Sequence, residues 1–198
     1  MPNFTRKGYG QVEPNQLSAQ KTGQIYASLA LDKNVDILQN GEFMYYDYVA
    51  NKVSATDSTG VAEPMLVFNE VKIYDERLSY KDFAMFRVGD NYVTDELYTE
   101  RYEGTDDGIA VDHVEYGYRM DGFAPRLFKT NIGDIYTTNM VKTDVAYQVG
   151  DLLAPVSNGK TMVLEVAADK EAAKMLWAVV KVYNMPDGQP GLKLQRVK

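Results

Sequence analysis

The chain contains a single histidine, His113, which is the first residue to consider for acid–base chemistry. Asp112 precedes it directly, but neighbouring residues of a strand point to opposite faces, so these two side chains would not pair. Glu115 has the same parity as His113 and could orient the imidazole, yet the spacing suggests no serine or threonine nucleophile beside it. The pattern favours a histidine in an acidic loop. We therefore predict that the protein has no catalytic residues and is not an enzyme.

Carboxylates near the histidine could instead bind a cation. Asp106-Asp107-Gly108 together with Asp112 could offer oxygen ligands to calcium. The spacing of an EF-hand loop is absent, however, and so is a glycine-rich phosphate loop. The chain has no cysteine, which excludes disulfides and thiolate zinc sites. We predict a solvated acidic loop, no metal site and no cofactor.

The overall charge and hydropathy exclude further classes of partner. The net charge is −7, which disfavours binding to a phosphate backbone. Basic residues at the two ends, Arg6-Lys7 and Lys193, Arg196 and Lys198, are predicted to be solvated. No apolar run approaches the roughly 20 residues of a membrane-spanning helix, and no apolar stretch follows the first cations as in a secretory signal. We therefore expect a soluble protein that is made in a reducing cytoplasm and binds neither nucleic acid nor membrane.

Short strands separated by turn residues predict a mainly β fold of small barrel- or sandwich-like modules with few short helices. Asn40-Gly41 between two strand-like runs predicts a hairpin turn. The segment 167–174 favours either a helix or a loop, and Ser79 could cap a short helix that runs to Phe86. The remaining strands are predicted at 24–31, 42–49, 65–74, 126–130, 134–141, 152–156, 162–166, 177–183 and 192–197, with short strands such as 97–102 and 114–118 in the acidic stretch.

The same pattern divides the chain into three segments. Residues 1–20 are polar and aperiodic, which predicts an extended N-terminal arm, and residues 21–125 predict a β module with an acidic, elaborated insertion. Residues 126–198 predict a C-terminal barrel-like module. Residues 22–27 resemble 132–137, and 71–75 resemble 180–184, at nearly equal offsets. These likenesses indicate either two related β modules or short sequence patterns that are common in β-strands.

Several strings of the sequence resemble virion proteins of tailed phages. They are the opening residues 1–10 with 12–15 and 19–26, the strand-like segment 65–70, and two segments near the end, 128–139 and 182–191. The resemblance implies a structural protein of the phage particle, and within that class a head decoration or capsid-stabilising protein. Such a protein sits on the virion, at the outer face of the capsid, and its partners are the major capsid protein and neighbouring copies of itself or a homo-oligomer.

This expected function directs attention to aromatic residues that could contact a partner. The chain has 15 tyrosines, a residue type that is common at interfaces because its ring is apolar and its tip is polar. By position and type, the predicted contact residues are Phe4, Tyr9, Tyr45, Tyr46 and Tyr48. Two alternatives remain open, namely a structural component of the tail or baseplate and a carbohydrate-binding module whose tyrosines stack on sugars.

Overall fold

Antiparallel strands dominate the fold, which confirms the predicted mainly β class. The computed structural model describes residues 3–6, 9–35, 37–69, 85–87, 124–186 and 188–198. The described strands are β1 (Val12–Gln16), β2 (Ile25–Tyr26), β3 (Ile37–Gln39), β4 (Phe43–Asp47), β5 (Lys52–Ser54), β6 (Met65–Val67), β7 (Met85–Arg87), β8 (Leu127–Phe128), β9 (Ile135–Thr138), β10 (Leu152–Ser157), β11 (Met162–Val166), β12 (Trp177–Asn184) and β13 (Pro190–Arg196). One short helix, α1 (Ser18–Thr22), follows β1.

Eleven of these strands form one curled sheet that resembles half a barrel. Its order is β1, β9, β13, β12, β10, β11, β4, β6, β8, β2, and β5 pairs separately with β4. Strands β3 and β7 form a second, two-stranded sheet. The five strands β9 to β13 lie side by side and β8 lies between β6 and β2, so strands of the predicted 21–125 and 126–198 modules belong to one sheet.

The β10–β11 hairpin shows how local chemistry sets the strands. Gly159 in its turn has a φ of +91°, which glycine adopts without steric cost. The side-chain oxygen of Asn158 accepts hydrogen bonds from the N–H groups of Lys160 (2.9 Å) and Thr161 (2.8 Å). The turn thus fixes a regular register, in which Leu153 lies opposite Val166 and Ser157 lies opposite Met162.

Large aromatic side chains form a buried cluster against the main sheet. Trp177 is fully buried at the start of β12, and its ring packs edge-on against Tyr136 with 4.8 Å between centroids. Phe43 of β4 packs against the same indole at 6.1 Å. Because β4, β9 and β12 come from distant parts of the chain, this aromatic cluster joins the two halves of the sequence in one core.

The N-terminal segment is part of this sheet. Strand β1 pairs with β9, and its register slips near Pro14, which an edge strand tolerates because proline lacks an N–H donor. The N–H and the hydroxyl of Ser18 both donate to the buried carboxylate of Asp134, each at 3.0 Å. Leu17 is buried beside them. Residues 9–20 are therefore an element of the body and do not project from it as an arm.

Three local predictions need correction or refinement. Gly41 does adopt a positive φ of +93°, but the Asn40-Gly41 turn is no hairpin, because β3 pairs with β7 while β4 pairs with β5, β6 and β11. The segment 167–174 forms turns and contains no helix. The helix predicted to end at Phe86 is wrong there, since residues 85–87 form β7; its start lies outside the described residues.

The two segments of the proposed repeat, 22–27 and 132–137, have similar local backbone structure. Gly23 and Gly133 both have a positive φ, at 68° and 95°, and each precedes a strand by two residues. Strand β2 pairs with β8, whereas β9 pairs with β1 and β13, so the two strands occupy different places in the sheet. The other half of the repeat, at 71–75, lies outside the described residues.

Candidate functional site

The structure distributes the five predicted contact residues over several places. Phe4 is buried and packs edge-on against Tyr147 at 5.8 Å, so it holds the N-terminal segment on the chain's own core. Tyr9 is half-buried, and its carbonyl accepts a hydrogen bond from Asn139 Nδ2 at 3.0 Å. Tyr45 is half-buried beneath the ammonium of Lys174, 5.3 Å from its ring centroid. These three residues do not form a common surface with one another.

The other two predicted residues, Tyr46 and Tyr48, do lie together. Their rings meet edge-on with 5.0 Å between centroids, and the ring of Tyr26 packs against Tyr46 at 5.2 Å. The hydroxyl of Tyr46 accepts the Ser28 N–H at 3.1 Å. Tyr46 is only 6% exposed, whereas Tyr48 is 68% exposed. We call Tyr26, Tyr46 and Tyr48 the tyrosine cluster; the half-buried Tyr26 and the buried Tyr46 support the exposed ring of Tyr48.

A rigid turn presents this exposed ring together with Val49, which is 75% exposed. The carboxylate of Asp47 accepts hydrogen bonds from the N–H groups of Val49 and Ala50, both at 2.9 Å, and of Ser58 at 2.8 Å. The Ser58 hydroxyl and these backbone donors lower the pKa of Asp47 to about 2. The turn therefore holds two large apolar side chains outward in a fixed conformation.

Acid should loosen this turn. The folded-state pKa of Asp47 is about 2 and its ordinary value is 3.8, so its stabilising effect is complete above about pH 4 and is lost as the pH falls towards 2. The variant Asp47→Asn is expected to melt several degrees below the wild type near pH 6, and the difference should shrink near pH 2.5. Thermal unfolding followed by circular dichroism at both pH values measures this. A difference that does not change with pH would contradict the role of the charge.

A cavity of about 420 Å³ opens elsewhere in the fold, between three backbone segments. One segment is the β3–β4 connection around Gln39 and Glu42, the second follows β9 at residues 140–143, and the third is the β10–β11 turn. Arg6 contributes from the N-terminal segment. We call this space the Arg6–Glu42 cavity. The sheet pairing of β4 with β11 brings these segments together.

Glu42 forms the inner wall of the cavity and is only 4% exposed. Its Oε2 accepts the Gln39 N–H at 2.9 Å, and its Oε1 accepts the Thr161 hydroxyl at 3.0 Å. Burial raises the pKa of Glu42 to about 7, although both hydrogen bonds and the charge of Arg6 oppose that rise. The carboxyl group is therefore divided between its protonated and charged forms near neutral pH.

Arg6 is half-buried in the same cavity, and burial lowers its pKa while the charge of Glu42 raises it. One of its guanidinium nitrogens donates to the Met140 sulfur. Among the described residues, this thioether is the only hydrogen-bond acceptor of the guanidinium, and sulfur accepts weakly. The remaining donors of Arg6 can serve a ligand in the cavity.

Two lysines line the cavity as well. Lys142 forms an ion pair with Glu165 at 2.6 Å, with about half of its side chain exposed to solvent. Lys160 extends from the β10–β11 turn and also has a partner. Ile37, Val141 and Val163 contribute apolar walls. The lining therefore combines basic side chains, apolar surface and one carboxyl group, that of Glu42, whose pKa lies near neutral pH.

The prediction of solvated basic ends is wrong for two arginines. Arg6 lines the cavity, and Arg196 is 5% exposed and pairs with Glu63 at 3.0 Å while donating to the Thr130 hydroxyl at 3.1 Å. Glu42 was not recognised from the sequence either. The sequence places Glu42 between the Asn40-Gly41 turn and the apolar start of β4, and nothing local in that pattern predicts that its carboxyl group is buried.

The remaining sequence candidates fall elsewhere. The acidic segment with Asp106, Asp107 and Asp112, and the histidine His113, lie outside the described residues. Within the part of the chain that the structure describes, no three His, Cys, Asp or Glu side chains are grouped so that they could hold a metal ion. No helix in that same part has both the length and the apolar character needed to cross a membrane.

Comparisons with known protein families, with curated proteins and with solved structures found no match to this chain.

Proposed function

We propose that this protein is a structural component of a phage particle that binds the outer face of the capsid through the Tyr48–Val49 turn. The sequence resemblance to phage virion proteins suggests the particle and the major capsid protein as the partner. The observation that carries the binding surface is the pair of exposed apolar side chains on a turn fixed by Asp47. Rigid aromatic anchors of this kind contribute much of the free energy of binding at protein interfaces.

The thermodynamics of binding to a capsid surface suit an ordered, exposed turn. A protein that binds only the assembled shell stabilises that shell by mass action. Because each copy, or an oligomer of copies, meets several capsid subunits, modest individual contacts are multiplied into strong attachment. The conformational entropy lost on binding is small when the contact turn is already ordered, as the three hydrogen bonds to Asp47 indicate.

The test is binding of the purified protein to capsids that lack it. The double variant Tyr48→Ala, Val49→Ser is expected to bind at least about tenfold more weakly than the wild type, because truncating a central tyrosine typically costs more than 1 kcal/mol. Val149→Ser is the matched control, since Val149 is 67% exposed on a different turn. Sedimentation of capsids with bound protein gives the occupancy. Equal binding of the double variant and the control would refute the proposed surface.

The exposed Tyr48 ring also suits stacking on a sugar, which keeps the carbohydrate-binding alternative as a second candidate. Tyr45 would not stack on the same sugar as Tyr48. Tyr45 packs against the core cluster that contains Trp177, whereas Tyr46 belongs to a separate cluster that contains Val53. Binding on a glycan array that Tyr48→Ala removes would favour this candidate over the capsid. Gold labelling of intact particles separates the head from the tail or baseplate.

A further inference from the structure

The Arg6–Glu42 cavity has the composition of a site for a small anion. Arg6, Lys142 and Lys160 line it; Lys142 pairs with Glu165, and Lys160 also has a partner. The one acidic side chain of its inner wall is Glu42, which is already engaged with the Gln39 N–H and the Thr161 hydroxyl. The guanidinium of Arg6 would repel a cation in this cavity and attract an anion.

The hydrogen bonding of Arg6 gives a second, independent indication. A guanidinium carries five N–H donors in a planar fork, and partly buried donors are normally paired with oxygen. Here the thioether of Met140 is its only acceptor among the described residues. The arrangement leaves the fork able to receive two oxygens at once, which matches the geometry of a carboxylate.

We propose that the Arg6–Glu42 cavity binds a carboxylate group, which the guanidinium of Arg6 receives in a bidentate contact. Apolar walls from Ile37, Val141 and Val163 would cover a short aliphatic chain behind that carboxylate. This site is separate from the Tyr48–Val49 turn and does not rest on the proposed capsid function. The carboxylate belongs to a free small acid or to an acidic side chain of another protein, and the probes below distinguish these sources.

Glu42 determines which anion fits best. When it is protonated, it adds no charge next to the ligand and can donate a hydrogen bond; when it is ionised, it repels the ligand. A doubly charged phosphate meets more of this repulsion than a singly charged carboxylate, and it cannot use the apolar walls. The groups that line the cavity with Glu42 are Arg6, Lys142 with its partner Glu165, and Lys160. Because the carboxyl group of Glu42 changes its charge near neutral pH, we expect it to dominate the pH dependence of binding between about pH 6 and 8.

The experiment is titration of the ¹⁵N-labelled full chain with sodium butyrate, sodium phosphate, and a blocked peptide with one glutamate or, as its control, one glutamine. We expect butyrate to shift the amide signals of Gln39, Glu42 and Thr161 and phosphate to bind more weakly. The glutamate peptide binds more tightly than butyrate if the source is a protein, and more weakly if it is a free acid. The absence of saturable butyrate shifts at these amides would overturn the proposal.

Variants of the cavity complete the test. Arg6→Gln should weaken butyrate binding at least about tenfold. Arg6→Lys keeps the charge but loses the planar fork, so its affinity should lie between those of the wild type and Arg6→Gln. Lys181→Gln, on β12 away from the cavity, removes the same charge and should bind like the wild type. Wild-type affinity should fall at least about threefold from pH 6 to 8, whereas Glu42→Gln should show no such fall. Equal affinity of Arg6→Gln and Lys181→Gln would contradict the assignment.

Discussion

Replacing Gly41 with alanine is expected to lower the free energy of unfolding by roughly 3 to 5 kcal/mol, because two separate penalties add. The backbone of Gly41 has a φ of +93°, which strains any residue with a β-carbon. A β-carbon built there would also lie 2.6 Å from Met140 Cβ and 2.6 Å from Thr138 Oγ1. Neither neighbour is the far end of a flexible chain, so the backbone of the turn or of β9 must move.

A matched variant separates the two penalties. Gly159 has nearly the same φ, +91°, but an added β-carbon would meet nothing within 4 Å. Gly159→Ala should therefore cost only about 1 to 2 kcal/mol. Urea unfolding of both variants, followed by tryptophan fluorescence, measures the difference. Equal losses of stability would show that the close approach of Gly41 to β9 has no energetic consequence.

The wild-type protein should lose stability as the pH rises through neutrality, and Glu42→Gln should not. Glu42 has a folded-state pKa of about 7 against an ordinary value of 4.5, so between these values the folded state holds a proton that the unfolded state releases. Folding is consequently favoured most below about pH 4.5 as far as this group is concerned. The gap corresponds to roughly 3 kcal/mol, lost progressively by about pH 8.

Glutamine preserves the contacts that surround this group. Its carbonyl oxygen can accept the Gln39 N–H, and its amide can donate to the Thr161 hydroxyl. We expect Glu42→Gln to be about 2 to 3 kcal/mol more stable than the wild type at pH 8 and close to it at pH 5. Glu171→Gln, at an exposed position, should follow the wild type at both values. Parallel pH profiles for all three proteins, measured by urea unfolding, would show that Glu42 is not buried as a weak acid.

The strands of the last third are the part of the fold that sequence patterns predict well. The segment 162–166 matches β11 without error, and the segments 152–156 and 177–183 each match a strand to within one residue. Alternating side chains and turns with glycine act over a few residues, so they can be read locally. The predicted strands 24–31 and 65–74 contain β2 and β6, but β2 covers only Ile25–Tyr26 and β6 only Met65–Val67.

Long-range pairing explains what sequence patterns missed. The Gln11 N–H donates to the side chain of Asn139, 128 positions away, and nothing local in a polar segment signals such a partner. The same holds for the cavity, where Glu42 and Thr161 lie 119 positions apart. The sequence predicts the turn at Asn40-Gly41, but it does not reveal which strands pair across the sheet. Strand β4 pairs with β6 and β11, which are distant in the sequence from the turn's other side. Of the contact residues, only the exposure of Tyr48 suits the expected role.

The order of strands in the main sheet has a consequence for how the chain acquires its structure during synthesis. The strands made first, β1 and β2, stand at its two ends, and their partners β9 and β8 emerge from the ribosome more than a hundred residues later. The nascent chain can join β4 to β5 and β6, but both ends of the sheet wait until residues 127–138 have been made. Such non-local pairing makes folding slow. A ribosome stalled before residue 127 should therefore hold a chain whose N-terminal strands remain open to chaperones and proteases.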